Sequence, residues 1–173
     1  MKATRIFGTL AGLGLTALMF APSAQAQVSA SISADAVVQI ALAASAGDNL
    51  DFGAVFPGTT RNILPSDPSS GSFQLLGSAN AEVSLTFDLT GAQNLVNGVN
   101  NLPVTYSSTS AAHNVLNSRA GATVFDPNVS LTRRLDAVTG ELWLFIGGSV
   151  SPAAQPAGPY TGTIVLNAAY TGN

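Results

Sequence analysis

Every second residue over positions 28–42 is apolar: Val28, Ala30, Ile32, Ala34, Ala36, Val38, Ile40 and Leu42. Between them stand Ser29, Ser31, Ser33, Asp35 and Gln39, with Val37 and Ala41 as apolar exceptions. Side chains alternate faces along a strand, so this pattern predicts a ribbon with one apolar and one polar face. At about 3.3 Å per residue the ribbon would extend roughly 50 Å, well beyond a usual strand of about five or six residues. The excess predicts two roles in one segment. One part pairs within the protein's own sheet, and another reaches into a neighbour and completes its sheet. A first strand paired wholly inside its own sheet is the alternative.

Ahead of the ribbon lies an export signal. Lys2 and Arg5 give a short positive region, 7–20 an apolar stretch, and Ala24-Gln25-Ala26 a small-residue cleavage site. The apolar stretch is shorter than the roughly 18 residues of a membrane helix, and no later run reaches that length. The expectation is cleavage of 1–26 and a single exported domain over 27–173, with no membrane span in the mature chain. It would reside in the periplasm, at the cell surface or outside the cell.

Removing the signal removes the only lysine and leaves Arg61, Arg119, Arg133 and Arg134 against nine acidic residues. So acidic a balance argues against nucleic acid and anionic lipid as partners, since both require clustered Lys or Arg. The chain has no cysteine. Thiol catalysis and thiolate metal sites are therefore excluded, and the domain must be held by burial alone.

The rest of the chain predicts an all-β fold. Residues 50–56 make a short strand ending at Pro57-Gly58, and 62–72 an exposed loop. Phe73 and Leu75 alternate, and so do Val83, Leu85, Phe87 and Leu89. Residues 91–101, rich in Gly and Asn, are expected to be irregular, while Pro103 places 102–107 at a sheet edge or strand start. A loop or weak helix is expected over 108–122, and short strands over 123–125 and 129–131. The run 142–146 is apolar on both faces, which suits a strand buried centrally in a sandwich. Ile164, Leu166, Ala168 and Tyr170 share one face of the last alternating segment. Short strands separated by Gly/Pro turns, with no period of 3.6, predict a two-sheet sandwich.

Three pieces carry a family resemblance: Leu50-Asp51-Phe52-Gly53, the Leu-Trp-Leu-Phe-Ile-Gly-Gly run at 142–148, and Gly158-Pro159-Tyr160-Thr161-Gly162-Thr163 before the last strand. Together they resemble the exported bacterial domains grouped as domain of unknown function 4402, and the spore-coat-protein-U-like subunits of archaic chaperone–usher fimbriae. The resemblance implies an immunoglobulin-like, pilin-like sandwich in which the last strand can be missing. A periplasmic chaperone would first fill the gap. The N-terminal extension of the next subunit would then replace it by donor-strand exchange at an outer-membrane usher. Carried onto this chain, 28–38 would be the donor strand, with Val28, Ala30, Ile32, Ala34, Ala36 and Val38 as its anchors. Residues 39–56 would form the first strand of the fold. Ile164, Leu166, Ala168 and Tyr170 would border the acceptor groove.

Catalytic chemistry finds little support. His113, the only histidine, lies in a Ser/Ala/Asn stretch with no nucleophile elbow, which predicts a solvated loop histidine. Asp48, Asn49 and Asp51 lack the spacing of a calcium loop and read as a turn. Glu82, Asp88 and Glu141 are scattered acids, of which Glu82 and Asp88 fall on the wet face of one strand. Trp143 reads as a core residue rather than a sugar platform, Arg133-Arg134 as a solvated turn, and Asn128-Val129-Ser130 as a chance sequon. No catalytic residue, metal ligand or cofactor is expected. The reading is a structural fimbrial or pilus subunit that contributes to cell adhesion, with copies of itself or related subunits as partners. Its rival is a monomeric secreted or envelope-bound immunoglobulin-like domain that binds carbohydrate.

Overall fold

A computed structural model describes residues 29–172. The chain divides between Ala36 and Val37. In the first unit the described residues, 29–36, carry no strand and are exposed. Val28 lies outside the described residues. The second unit is an all-β, immunoglobulin-like sandwich, and no helix occurs among the described residues. Accordingly, none of them forms a helix long and apolar enough to cross a membrane.

The strands run β1 (Ala43–Ala46), β2 (Arg61–Ile63), β3 (Gly71–Leu76), β4 (Glu82–Asp88), β5 (Asn94–Asn97) and β6 (Asn100–Thr105). They continue through β7 (Ala111–Asn114), β8 (Thr123–Phe125), β9 (Leu131–Arg134), β10 (Glu141–Ile146), β11 (Gly148–Val150) and β12 (Val165–Tyr170). Three antiparallel sheets result, in the orders β1-β3-β10-β7-β8, β12-β4-β9 and β2-β11-β6-β5.

The first two sheets enclose the main core. Leu75, Leu142 and Leu144 from one meet Val83 and Leu85 from the other, with Leu135 beside them. As the two-sided apolar run predicts, β10 is a central strand. The third sheet holds a second core of Phe52, Ile63, Leu102, Val104 and Val150. The backbone passes from β10 into β11 through Gly147, where an added Cβ would sit on the Ile63 carbonyl. Only glycine lets one continuous segment serve both cores at that crossing.

Several local expectations change. The strand expected over 39–56 is limited to β1. Beyond it the Asp51 side chain accepts the Gly53 N–H at 2.8 Å, and Gly53 takes φ 62°, which turns the chain out of strand conformation. Phe52 still plugs the second core. The stretch 91–101 is a hairpin rather than irregular. Asn97 pairs with Asn100 across a two-residue loop that begins with Gly98 at φ 60°, as a type II′ turn demands. Pro103 falls one residue past the Val150–Val104 pairing, so its missing N–H costs no bond to β11. Residues 111–114 form a strand whose Ala111 and Ala112 are buried.

Candidate functional site

The site is a slot between two strand edges. β1 pairs only with β3, and β12 only with β4, so each leaves one edge without a strand partner among the described residues. Ala44, Ser45 and Ala46 face Ile164, Val165 and Leu166 across a cavity of about 190 Å³ floored by Phe73.

Register fixes which backbone groups point into this slot. The Gly47 N–H bonds Ser72 O at 2.8 Å, in line with the Ala43–Leu76 register of β1 and β3. Hydrogen-bonded pairs alternate in an antiparallel ladder, so Ala43 and Ser45 bond β3 while Ala44 and Ala46 turn their N–H and C=O outward. The Thr171 N–H bonds Glu82 O at 3.1 Å, in line with the Val165–Asp88 register of β12 and β4. By the same alternation, Leu166, Ala168 and Tyr170 direct their main-chain groups away from β4. By register the side chains of these residues lie on the core side of their sheets, although Ala44 and Ala46 are themselves exposed. Leu166, Ala168 and Tyr170 pack on the main cluster, and Ala44 and Ala46 lie opposite Leu75 and Phe73. The predicted face of Ile164, Leu166, Ala168 and Tyr170 is thus a half-buried wall with bare main-chain groups beside it.

The slot is tied at one end and wide at the other. At the tied end the Tyr170 hydroxyl donates to Ile40 O at 2.7 Å and accepts the Ser78 N–H at 2.8 Å. The Ile40 N–H donates to Ser78 Oγ at 2.7 Å. At the other end Ala46, Phe73 and Ile164 also line a cleft of about 970 Å³ between loops 48–57 and 152–164. Tyr106 lines this cleft, donates to Ala92 O at 3.3 Å, and has its phenol pushed up to about 12 by burial. Arg119 holds one rim. It bonds Asp48 Oδ2 at 2.8 Å and Ser70 Oγ at 2.9 Å, and its guanidinium lies 5.1 Å over the Phe145 ring. That bond and charge, with Ser72 in support, hold the Asp48 carboxyl below its usual range.

The ribbon residues are available rather than packed. Ala30, Ile32, Ala34, Ala36 and Val38 are all exposed, with Ile32 and Val38 each at 96 %. No strand covers 29–42 in the single chain.

The chemical candidates disperse. His113 is not a loop residue. It sits on β7, half-buried, and its Nε2 accepts from Arg133 Nε at 2.8 Å, with Phe125 at 6.0 Å. Burial, then the Arg133 charge, lowers its pKa. Arg133 and Arg134 lie on β9 rather than in a turn, and Arg134 approaches Glu82 at 3.9 Å. Glu82 and Asp88 stand at opposite ends of β4, roughly 20 Å apart. Glu141 lies on a different sheet. No group of three metal-ligating side chains forms among the described residues. Trp143 departs from the core reading: it is half-buried, paired in register with Gln74 and Asn114, and its indole N–H reaches Glu141 Oε2 at 3.5 Å. No family model and no curated protein matches the chain.

Proposed function

We propose that this chain is an exported structural subunit of a bacterial surface fimbria or pilus-like filament, assembled by donor-strand exchange. Segment 28–38 of one copy would enter the slot between β1 and β12 of the next and take the place of a missing strand. The supporting observation is that the slot's walls combine unpaired main-chain groups with inward apolar side chains on the same residues. Ala44 and Ala46 do so on one side, and Leu166, Ala168 and Tyr170 on the other. An edge of this kind is an aggregation hazard unless something covers it. The chain carries a matching segment, apolar at every second residue over 28–38 and exposed over its described residues 29–38. Segment 28–38 spans roughly 36 Å when extended, against roughly 20 Å for β12, so its remainder would reach the wide cleft. Before assembly, a periplasmic chaperone would cover the same slot.

The test is a pair of single substitutions. Ile32→Asp would place a carboxylate against the slot floor, where an unpaired charge is too costly to dock. It is expected to abolish oligomers and filaments in size-exclusion chromatography and electron microscopy while the body stays folded. Ser31→Asp, on the polar face, assembles normally. Assembly that survives deletion of 27–33 would refute the reading.

A monomeric carbohydrate-binding domain is the second reading. One observation favours it: Trp143 is part-exposed beside Glu141, with Gln74 and Asn114 flanking it across the sheet.

A further inference from the structure

We infer that the chain is built so that its own extension cannot close its own slot, which reserves the slot for a strand from a second copy. The inference rests on the strand-exchange reading and adds to it a reason why exchange is not pre-empted from within.

β1 begins near the end of β12. An added Cβ on Gly77 would meet both Leu42 and the Tyr170 hydroxyl, and that hydroxyl bonds Ile40 O. Ala46 and Ile164 meet at the other end of the slot. The two walls therefore run in opposite directions. An extension folding back on its own β1 would form a hairpin with β1 and lie parallel to β12. The connection would have to fall within 38–42.

Side-chain parity decides which hairpins work. Cross-strand partners in an antiparallel pair point to the same face, and shifting the register by one residue inverts that face. On β1 the inward residues are Ala44 and Ala46, opposite Leu75 and Phe73. A two-residue loop at 40–41 pairs residue 39 with 42, hence Val37 with Ala44 and Asp35 with Ala46. Gln39 and Asp35 would then point inward, and Ala34, Ala36 and Val38 outward. A four-residue loop at 39–42 keeps the same parity, again turning Asp35 inward and Ala34, Ala36 and Val38 outward, and takes Leu42 off the cluster it packs against. A three-residue loop at 39–41 pairs Ala36 with Ala44 and Ala34 with Ala46, which buries the apolar face. That loop is a type I turn followed by a left-handed residue, normally glycine. The sequence offers Gln39, Ile40 and Ala41, and neither Val38 nor Leu42 adds a Gly, Pro, Asn, Asp or Ser. A five-residue loop over 38–42 restores the parity but has no turn former either, and it would pull Leu42 off the core it packs against. Turn chemistry thus blocks the loops that parity allows, and parity blocks the loops that are commonest. A strand from another copy needs no such turn.

The experiment repairs the turn. Gln39→Pro, Ile40→Asp and Ala41→Gly together write Pro-Asp-Gly into a three-residue loop, at positions that are exposed in the structure. The control, Ile40→Asn with Ala41→Gly, writes Asn-Gly into a two-residue loop of the wrong parity. Hydrogen exchange on the purified monomer is read at amides 34–37, and assembly by size-exclusion chromatography. The expected results are unprotected amides in the wild-type monomer and in the control. The triple variant is expected to show at least tenfold slower exchange, with assembly lost. Protection of 34–37 in the wild-type monomer overturns the inference, and so does equal protection in control and triple variant, or an unprotected triple variant that assembles normally. Failure of the underlying reading has a different signature. Wild-type chains then never assemble, while the exchange comparison among the three monomers still decides whether the extension can close the slot.

Discussion

The two sides of the sandwich are closed by different means. At the β8/β9 side the edge strands are neighbours in sequence, joined by 126–130, where Asp126 accepts the Asn128 N–H at 2.9 Å and Pro127 is buried. His113 on one sheet accepts from Arg133 on the other, and Phe87 stacks on Phe125 with ring centroids 6.2 Å apart. At the β1/β12 side the edges are far apart in sequence, and the Tyr170–Ile40 bond holds only one end. Closure by a short connection carries little loop entropy and comes with folding. The β1/β12 flank has no such connection and keeps two strand edges without a strand partner among the described residues; on the proposed reading, its closure waits for a strand from a second copy.

The largest expected effect tests what the two sides share. Leu144 is 0 % exposed in the cluster beneath both. Leu144→Ala should cost about 2–5 kcal/mol in urea unfolding, and should weaken assembly only through the loss of folded chain.

A smaller effect separates the sides. The folded pKa of His113 is lowered, so the unfolded chain binds the proton more readily. The stability tied to neutral His113 is present above its ordinary pKa of about 6.5 and is lost as pH falls through the lower folded value. Unfolding midpoints should therefore drop on acidification below about pH 6.5, and His113→Gln should flatten that dependence. The slot lies on the opposite flank, so assembly at pH 7 is expected to be unchanged in this variant.

The smallest effect concerns Trp143, which lies on β10 between the two sides. Its partial exposure predicts that Trp143→Ala costs well under the roughly 3–5 kcal/mol of a buried tryptophan. If the filament reading holds, simple saccharides leave its fluorescence unchanged. Quenching that saturates with added sugar would favour the carbohydrate reading instead.

Much of the sandwich was legible because its clearest strands obey period two. β4 and β12 follow their alternation closely, and the two-sided run at 142–146 correctly marks a central strand. That same run hid Trp143. Phe145, on the outer face, is covered by Arg119, but no comparable cover lies over the tryptophan two residues earlier among the described residues, and an uninterrupted apolar string carries no sign of the difference. β7 was missed because Ala111-Ala112-His113-Asn114 has neither bulk nor alternation, and its burial comes from the neighbouring strands. The β5–β6 hairpin had a local signal in Asn97-Gly98 that the surrounding polar composition obscured. The apolar face of β12 could be read directly. The slot could not, since it depends on β1 ending up opposite β12, a non-local juxtaposition.

The clamp at Ile40 has a mechanical consequence. A pull along the chain from residue 39 meets it before reaching β1: the Ile40 N–H is held by Ser78 and its C=O by Tyr170, on two different parts of the body. Behind it, the β1 ladder to β3 lies across the strand axis. A pull along that axis loads those bonds together, in shear, and does not peel them apart one at a time. Tension along the chain from residue 39 is thus shared between the clamp and the ladder before it reaches the core. On the proposed strand-exchange reading, this would let each body pass load to its neighbour.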